Sequence, residues 1–236
     1  MNAEPIKIQD IFKGKFFKDP ESLLERFLKI KAFVFDWDGV FNNGIKDENG
    51  SSAFSEVDAM GTNLLRYNHF LLHERLAGMV VISGEQNKAA FTLARREHFD
   101  AVYYKVLHKA DALRHFCNKK NLQFDEVAFV FDDVLDFSLA QLVGLRIMVG
   151  RSCNPLLTSF AIEGGLVDYL TFAEGGHHAV RETVELLTAL SGRYKETITG
   201  RMQFNEHYRR FLHLRNQPSP FFCTVVDSVI TEQIPL

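Results

Sequence analysis

The stretch "FVFDWDGVFNNG", residues 33–44, decides the fold. Phe33, Val34 and Phe35 run straight into Asp36, and a second aspartate, Asp38, follows two positions later. A short, continuous apolar run without alternation reads as a strand buried on both faces, as parallel sheets require. A carboxylate at the end of such a strand is either a polar cap on the sheet or a charge held near low dielectric for chemistry. Extended-chain spacing lets Asp36 and Asp38 face one side, about 7 Å apart.

The same pattern recurs outward from this stretch. "AFVF" (32–35), "MVVI" (79–82), "VAFVF" (127–131) and "LRIMV" (145–149) predict strands, with "AVYY" (101–104) and "LVDYL" (166–170) as shorter members. Between them, Met60, Leu64, Tyr67 and Leu71, and later Val180, Val184 and Leu187, fall at helical spacing. The alternation predicts an α/β fold: a three-layer, Rossmann-like parallel sheet flanked by helices. In "GIKDENGSSAFSEV" (44–57), "ENG" predicts a small β-hairpin insertion after the first strand, too short to be a cap domain. Upstream, Asp19 as N-cap and Pro20 at the first helical position predict a helix with Leu23, Leu24, Phe27 and Leu28 on one face. Beyond about residue 191 the chain turns basic, and a helix is expected there, followed by an irregular tail, "FFCTVVDSVITEQIPL", docked on the core or on another subunit.

Bulk properties exclude several functions. A formal charge of -3 gives no electrostatic basis for binding nucleic acid or an anionic membrane. "MNAEPIKIQDIFKGKFF" has no continuous apolar stretch, so neither a signal peptide nor a membrane anchor is expected. Cys117, Cys153 and Cys223 are scattered and form no CxxC, which argues against a disulfide frame or zinc site and for a reducing, cytoplasmic setting.

Three strand candidates end in a polar residue: Asp36 after "AFVF", Ser83 after "MVVI", and Asp132 with Asp133 after "VAFVF". In a parallel sheet these ends share one edge, and ligands bind outside it. Gathering Asp36, Asp38 and Asp132, with Asp133 and Asp136 in reach, costs roughly 1 to 4 kcal/mol per close pair. Such a cluster calls for a cation, and an all-oxygen donor set points to Mg²⁺. Lys109 is the candidate fixed positive charge, with Lys105 and His108 as neighbouring alternatives.

"DWDGVFNNG", "VVISGE", Lys109 and "VFDDVLD", in this order, resemble the haloacid dehalogenase (HAD) superfamily of phosphohydrolases. With "EVDAMGTNLL", "HKADAL" and "EGGHHAVRE", the chain over roughly 30–190 resembles the small capless branch that contains 3-deoxy-D-manno-octulosonate 8-phosphate phosphatase. The resemblance implies an N-terminal helical extension (1–30), a HAD-like phosphatase domain (31–190) and a C-terminal helical extension and tail (191–236). It implies hydrolysis of a small phosphorylated metabolite through an aspartyl-phosphate, with Asp36 as nucleophile and Asp38 as proton donor and then base. Ser83, Gly84 and Gly39 would hold the phosphate with Lys109, and Asp36, Asp38 and Asp132 would hold Mg²⁺, supported by Asp133 or Asp136. It also implies a homotetramer whose neighbouring subunits help to close the site.

Blander expectations stand beside these. Ser83 and Gly84 read alone as a strand-to-helix turn, and Asp133 and Asp136 as helix-start residues. Trp37 and Phe131 read as packing, His177 and His178 as caps of the following helix, and "YRRFLHLR" as a solvated helix face. Glu85, Phe131, Ala59 and "GGHH" depart from the branch pattern, and an arginine that would suit a sugar-acid carboxylate is missing at position 85. A HAD-fold binding or scaffold protein is therefore the alternative. A receiver-type phosphoacceptor is excluded by order, because here the lysine precedes the second acidic pair.

Overall fold

In the computed structural model, which describes residues 7–235, the chain folds around one nine-stranded sheet. Residues 1–6 of the N-terminal reading, and Leu236, lie outside the described residues. The elements are α1 (Ile8–Ile11), β1 (Lys15–Phe16), α2 (Pro20–Lys29), β2 (Ala32–Phe35), α3 (Glu56–His73), β3 (Gly78–Ile82), α4 (Lys88–Arg96), β4 (Ala101–Tyr103) and α5 (Lys109–Lys120). They continue as β5 (Val127–Phe131), α6 (Phe137–Ala140), β6 (Leu145–Met148), α7 (Pro155–Glu163), β7 (Tyr169–Leu170), α8 (Ala179–Leu190), α9 (Tyr194–Gln203), α10 (Glu206–Arg215), β8 (Phe221–Val226) and β9 (Val229–Glu232).

The sheet order is β1-β7-β6-β5-β2-β3-β4-β8-β9. All neighbours pair in parallel except at the two edges, where β1 and β9 run antiparallel. Because β2 sits between β3 and β5, the chain winds outward in both directions from it, which opens a crevice at the carboxyl ends of the central strands.

Each face of the sheet carries its own core, which is why the central strands show no polar alternation. Phe33, Phe35, Val81 and Val130 pack under α2, α3 and α8, while Val34, Ile82, Phe129 and Phe131 pack under α5 and α7. Phe131 stacks on Phe129 and meets Phe137 edge-on, so this departure from the family pattern fills core. Trp37 is fully buried, stacked on Phe41 and edge-on to Phe54. The Asp19 N-cap forms as read, its carboxylate accepting from the Ser22 amide at 2.8 Å.

Three expectations differ from the structure. Residues 44–55 contain a tight turn, in which the Asp47 amide donates to the Ser51 carbonyl at 2.8 Å, but no paired strands. The arms are mostly polar and exposed and only Phe54 packs against the core, so the turn signal does not extend into a ladder. His178 occupies the N-cap position of α8 at φ 73° but makes no side-chain cap bond. Asp58 of α3 caps that helix instead, accepting from the Arg181 amide at 2.9 Å. Finally, the tail is regular. After α9, α10 packs Tyr208 and Phe211 on Tyr67 and Phe70, and β8 then extends the sheet beside β4 and turns into β9 through Asp227 and Ser228, both at positive φ. Such a two-residue loop is the hairpin connection that matches strand twist. Among the described residues, no helix is long and apolar enough to cross a membrane.

Candidate active site

The crevice at the carboxyl ends of β2, β3 and β5 is a cleft of ≈ 380 Å³ that contains Asp36, Asp38, Gly39, Ser83, Gly84, Lys109 and Asp132 together. The register explains the convergence. Phe35 pairs with Val130 and the Asp36 amide donates to the Val130 carbonyl at 2.9 Å, so Asp36 and Asp132 leave adjacent strands at neighbouring levels. Lys109 is the first residue of α5 and lies only 3% exposed. A larger hollow of ≈ 520 Å³ lies along the 44–55 loop, lined by Phe41, Ile45 and Phe54, and holds none of these carboxylates.

The carboxylates of Asp36, Asp132 and Asp136 each offer an oxygen within 4.8 Å of the others. Their partners determine which oxygens remain open. Lys109 Nζ lies 2.7 Å from Asp36 Oδ1 and 2.6 Å from Asp136 Oδ1. Asp36 Oδ1 also accepts from the Trp37 amide at 2.7 Å. Asp136 Oδ2 accepts from the amides of Asp132 and Asp133, at 3.3 and 3.2 Å. Arg151 Nη2 donates to Asp132 Oδ2 at 2.6 Å, whereas Asp132 Oδ1 is buried with no hydrogen-bond partner among the described residues. Asp132 Oδ1 and Asp36 Oδ2 are thus the oxygens left to bind a cation. Asp136 holds Lys109 and the 132–133 backbone. An orphaned, buried carboxylate oxygen among all-oxygen donors fits a hard divalent ion.

The remaining candidates occupy defined places. Gly39 has φ +86°, and a Cβ there would stand 2.0 Å from Asp132 Oδ2 and 2.2 Å from Arg151 Nη2, so only glycine fits. Ser83 is buried, and its Oγ accepts from the Glu85 amide at 3.1 Å, which leaves the hydroxyl proton free to donate into the cleft. Asp38 does not continue the extended run. The Val40 and Phe41 amides both donate to the Trp37 carbonyl, closing a turn. The Asp38 carboxylate accepts from Ser52 Oγ at 2.7 Å and pairs with Lys46, outside the group of three carboxylates. Asp133 is exposed and bonds the Val134 amide. His177 and His178 do not line the cleft. Arg151, Lys46 and Ser52 were not legible as site residues. Arg151 follows "LRIMVG" and could have been found by the strand-end logic that found Asp132, but Lys46 and Ser52 lie in an aperiodic loop.

The cluster is electrically unbalanced, with three carboxylates facing the two cations Lys109 and Arg151. Burial, and then Asp136, raise the Asp36 carboxyl to about 7 against the pull of Lys109. Burial, Asp36 and Asp136 raise Asp132 to about 8 against Arg151. Burial opposes the Lys109 ammonium, but Asp36 and Asp136 outweigh it and push its pKa up, so it stays charged. Both carboxyls keep protons in the folded chain that the unfolded chain releases near pH 4, so stability falls as pH rises between about 4 and 8. The EDTA-treated protein is therefore expected to melt at a lower temperature at about pH 8 than at about pH 5. Divalent cation should reverse the loss, and Asp132→Asn should flatten the profile. A melting temperature that rises across that window would contradict this charge balance.

No family model matches the chain. Sequence relatives do: the chain is 27% identical over 171 residues to 3-deoxy-D-manno-octulosonate 8-phosphate phosphatase of Escherichia coli K12, covering 71% of this chain and 84% of that protein. Among solved structures, a Legionella pneumophila protein of HAD superfamily subfamily III A is similar at TM-score 0.64 and 28% identity, over 78% of this chain and 95% of that one. The Moraxella catarrhalis 3-deoxy-D-manno-octulosonate 8-phosphate phosphatase, solved with magnesium, phosphate and the sugar acid, shares the fold at TM-score 0.64 and 22% identity, over 76% and 97% of the two chains.

Proposed function

We propose that this chain, a phosphatase of the haloacid dehalogenase superfamily by its relatives and its fold, is a magnesium-dependent phosphomonoesterase acting on a small sugar or sugar-acid phosphate through a phosphoryl group carried on Asp36. The observation that carries this reading is the pair of open oxygens, Asp36 Oδ2 and Asp132 Oδ1, beside a buried lysine that holds the other Asp36 oxygen. Asp36 and Asp132 would hold the ion through these oxygens. Asp38, its carboxylate engaged by Ser52 and Lys46, stands beside this group at the cleft. When bound, the magnesium supplies the positive charge that admits a phosphate dianion beside three carboxylates.

The residues divide the work. Lys109 fixes the Asp36 carboxylate by Oδ1, and this carboxylate forms the bond to phosphorus as the bond to the leaving oxygen breaks. Asp38, positioned at the cleft by Ser52 and Lys46, would in its protonated form give a proton to the leaving oxygen. It then takes one from the water that attacks phosphorus and frees Asp36. The Ser83 hydroxyl and the backbone N–H groups around Gly39 and Gly84 hold the phosphoryl oxygens. By resemblance the protein is a cytoplasmic homotetramer, whose neighbouring subunits would screen this open cleft.

Phosphate release from a panel of sugar phosphates, sugar-acid phosphates and nucleotides tests the reading. Turnover is expected on the sugar members, with magnesium required and EDTA abolishing it. Absence of turnover on every member with magnesium present would favour the scaffold alternative. Preference for nucleotides would move the substrate class.

A further inference from the structure

Arg151 stands between β6 and α7, and its position is built. On one side the Gly150 amide donates to Thr171 Oγ1 at 2.9 Å, and on the other the Ser152 amide donates to Glu174 Oε1 at 2.9 Å. A Cβ at Gly150 would meet the Thr171 carbonyl oxygen at 2.3 Å, so the chain passes too close there for any side chain. From this anchored loop the arginine reaches across the bare Gly39 and places Nη2 2.6 Å from Asp132 Oδ2. The guanidinium lines the same cleft, with its side chain 26% exposed. It is a fixed positive charge on a carboxylate whose other oxygen is buried with no hydrogen-bond partner among the described residues.

The geometry points to Arg151 as an internal counter-cation of the metal site. It holds Asp132 before a divalent ion binds and lowers the affinity with which that ion is then held, so the metal exchanges instead of being retained. This rests on Asp36 and Asp132 being the metal ligands. A monovalent cation bonded to one oxygen of a ligand carboxylate repels a divalent ion at the other oxygen and withdraws part of the charge that would attract it. A purely structural arginine makes the opposite forecast, since removing it would let Asp132 swing and would weaken metal binding.

Magnesium binding to the full-length protein, stripped with EDTA and measured by titration calorimetry with no substrate present, separates the two. Arg151→Gln is expected to bind magnesium about tenfold tighter than wild type, since even a weakened repulsion of about 1.4 kcal/mol corresponds to that factor. Its stripped form should melt lower, and its rise in melting temperature on adding magnesium should be larger. Arg151→Lys, which keeps the charge, is expected to stay within about threefold of wild type. Equal or weaker binding by Arg151→Gln would overturn the inference, as would a shift in Arg151→Lys as large as that in the glutamine variant. If wild type binds no magnesium at all, the metal-site reading fails and this inference falls with it. If wild type binds and Asp132→Asn does not, only the role of Arg151 is in question.

Discussion

Asp36→Asn is expected to lower phosphate release by about three orders of magnitude or more, the scale on which removing a covalent nucleophile acts. The substitution keeps the shape and an acceptor for the Trp37 amide but cannot form the acyl phosphate. Structure should survive, because the change removes one negative charge from a cluster that has one in excess. The expected result is therefore an inactive protein that melts no lower than wild type when stripped of metal. Circular dichroism melts beside the phosphate assay check both halves. A variant retaining a tenth of the activity would show that another group carries the chemistry.

Lys109→Met carries the second large effect, on stability and activity together. Lys109 is buried and bonded to two carboxylates, so its removal leaves Asp36 and Asp136 without their cation. Breaking a buried pair by deleting one partner costs about 3 to 5 kcal/mol, because a charge stays desolvated and uncompensated. Denaturant unfolding should register a loss of that size, and activity should fall to background as Asp36 loses the group that fixes Oδ1. Adding Asp136→Asn removes one orphaned charge and is expected to recover part of the stability without recovering activity. A double variant no more stable than Lys109→Met would contradict the assignment of Asp136 as the lysine's structural partner.

What was legible in the sequence follows from burial. β2 and β5 could be delimited to the residue, 32–35 and 127–131, because both faces are covered and every position is apolar until the strand stops at an aspartate or just before one. The same feature exposed Asp36, Ser83 and Asp132, since a polar group ending a doubly buried strand has to lie at the sheet edge. Lys109 was legible only as the start of a helix, and its contact with Asp36 is a long-range fact that no local period encodes. Asp136 was legible only as a supporting acid or a helix-start residue, because residue type alone does not distinguish capping from its hold on the lysine and the 132–133 backbone. The tail failed for a different reason. "FFCTVV" is an apolar run like the others, but Pro218 and Pro220 just before it argued for irregular chain, and its partner, β4, lies far back in the sequence. The turn at 47–51 was read correctly and its strands were not, because the arms spend Lys46 and Ser52 on Asp38.

The most direct test is to find the phosphoryl group. Protein quenched during turnover, reduced with borohydride and digested, should contain homoserine in place of aspartate at position 36, since the reagent converts an acyl phosphate to the alcohol. Homoserine at position 36 is the expected result. Steady release of phosphate with no modification there, or with modification at a different carboxylate, would contradict the account.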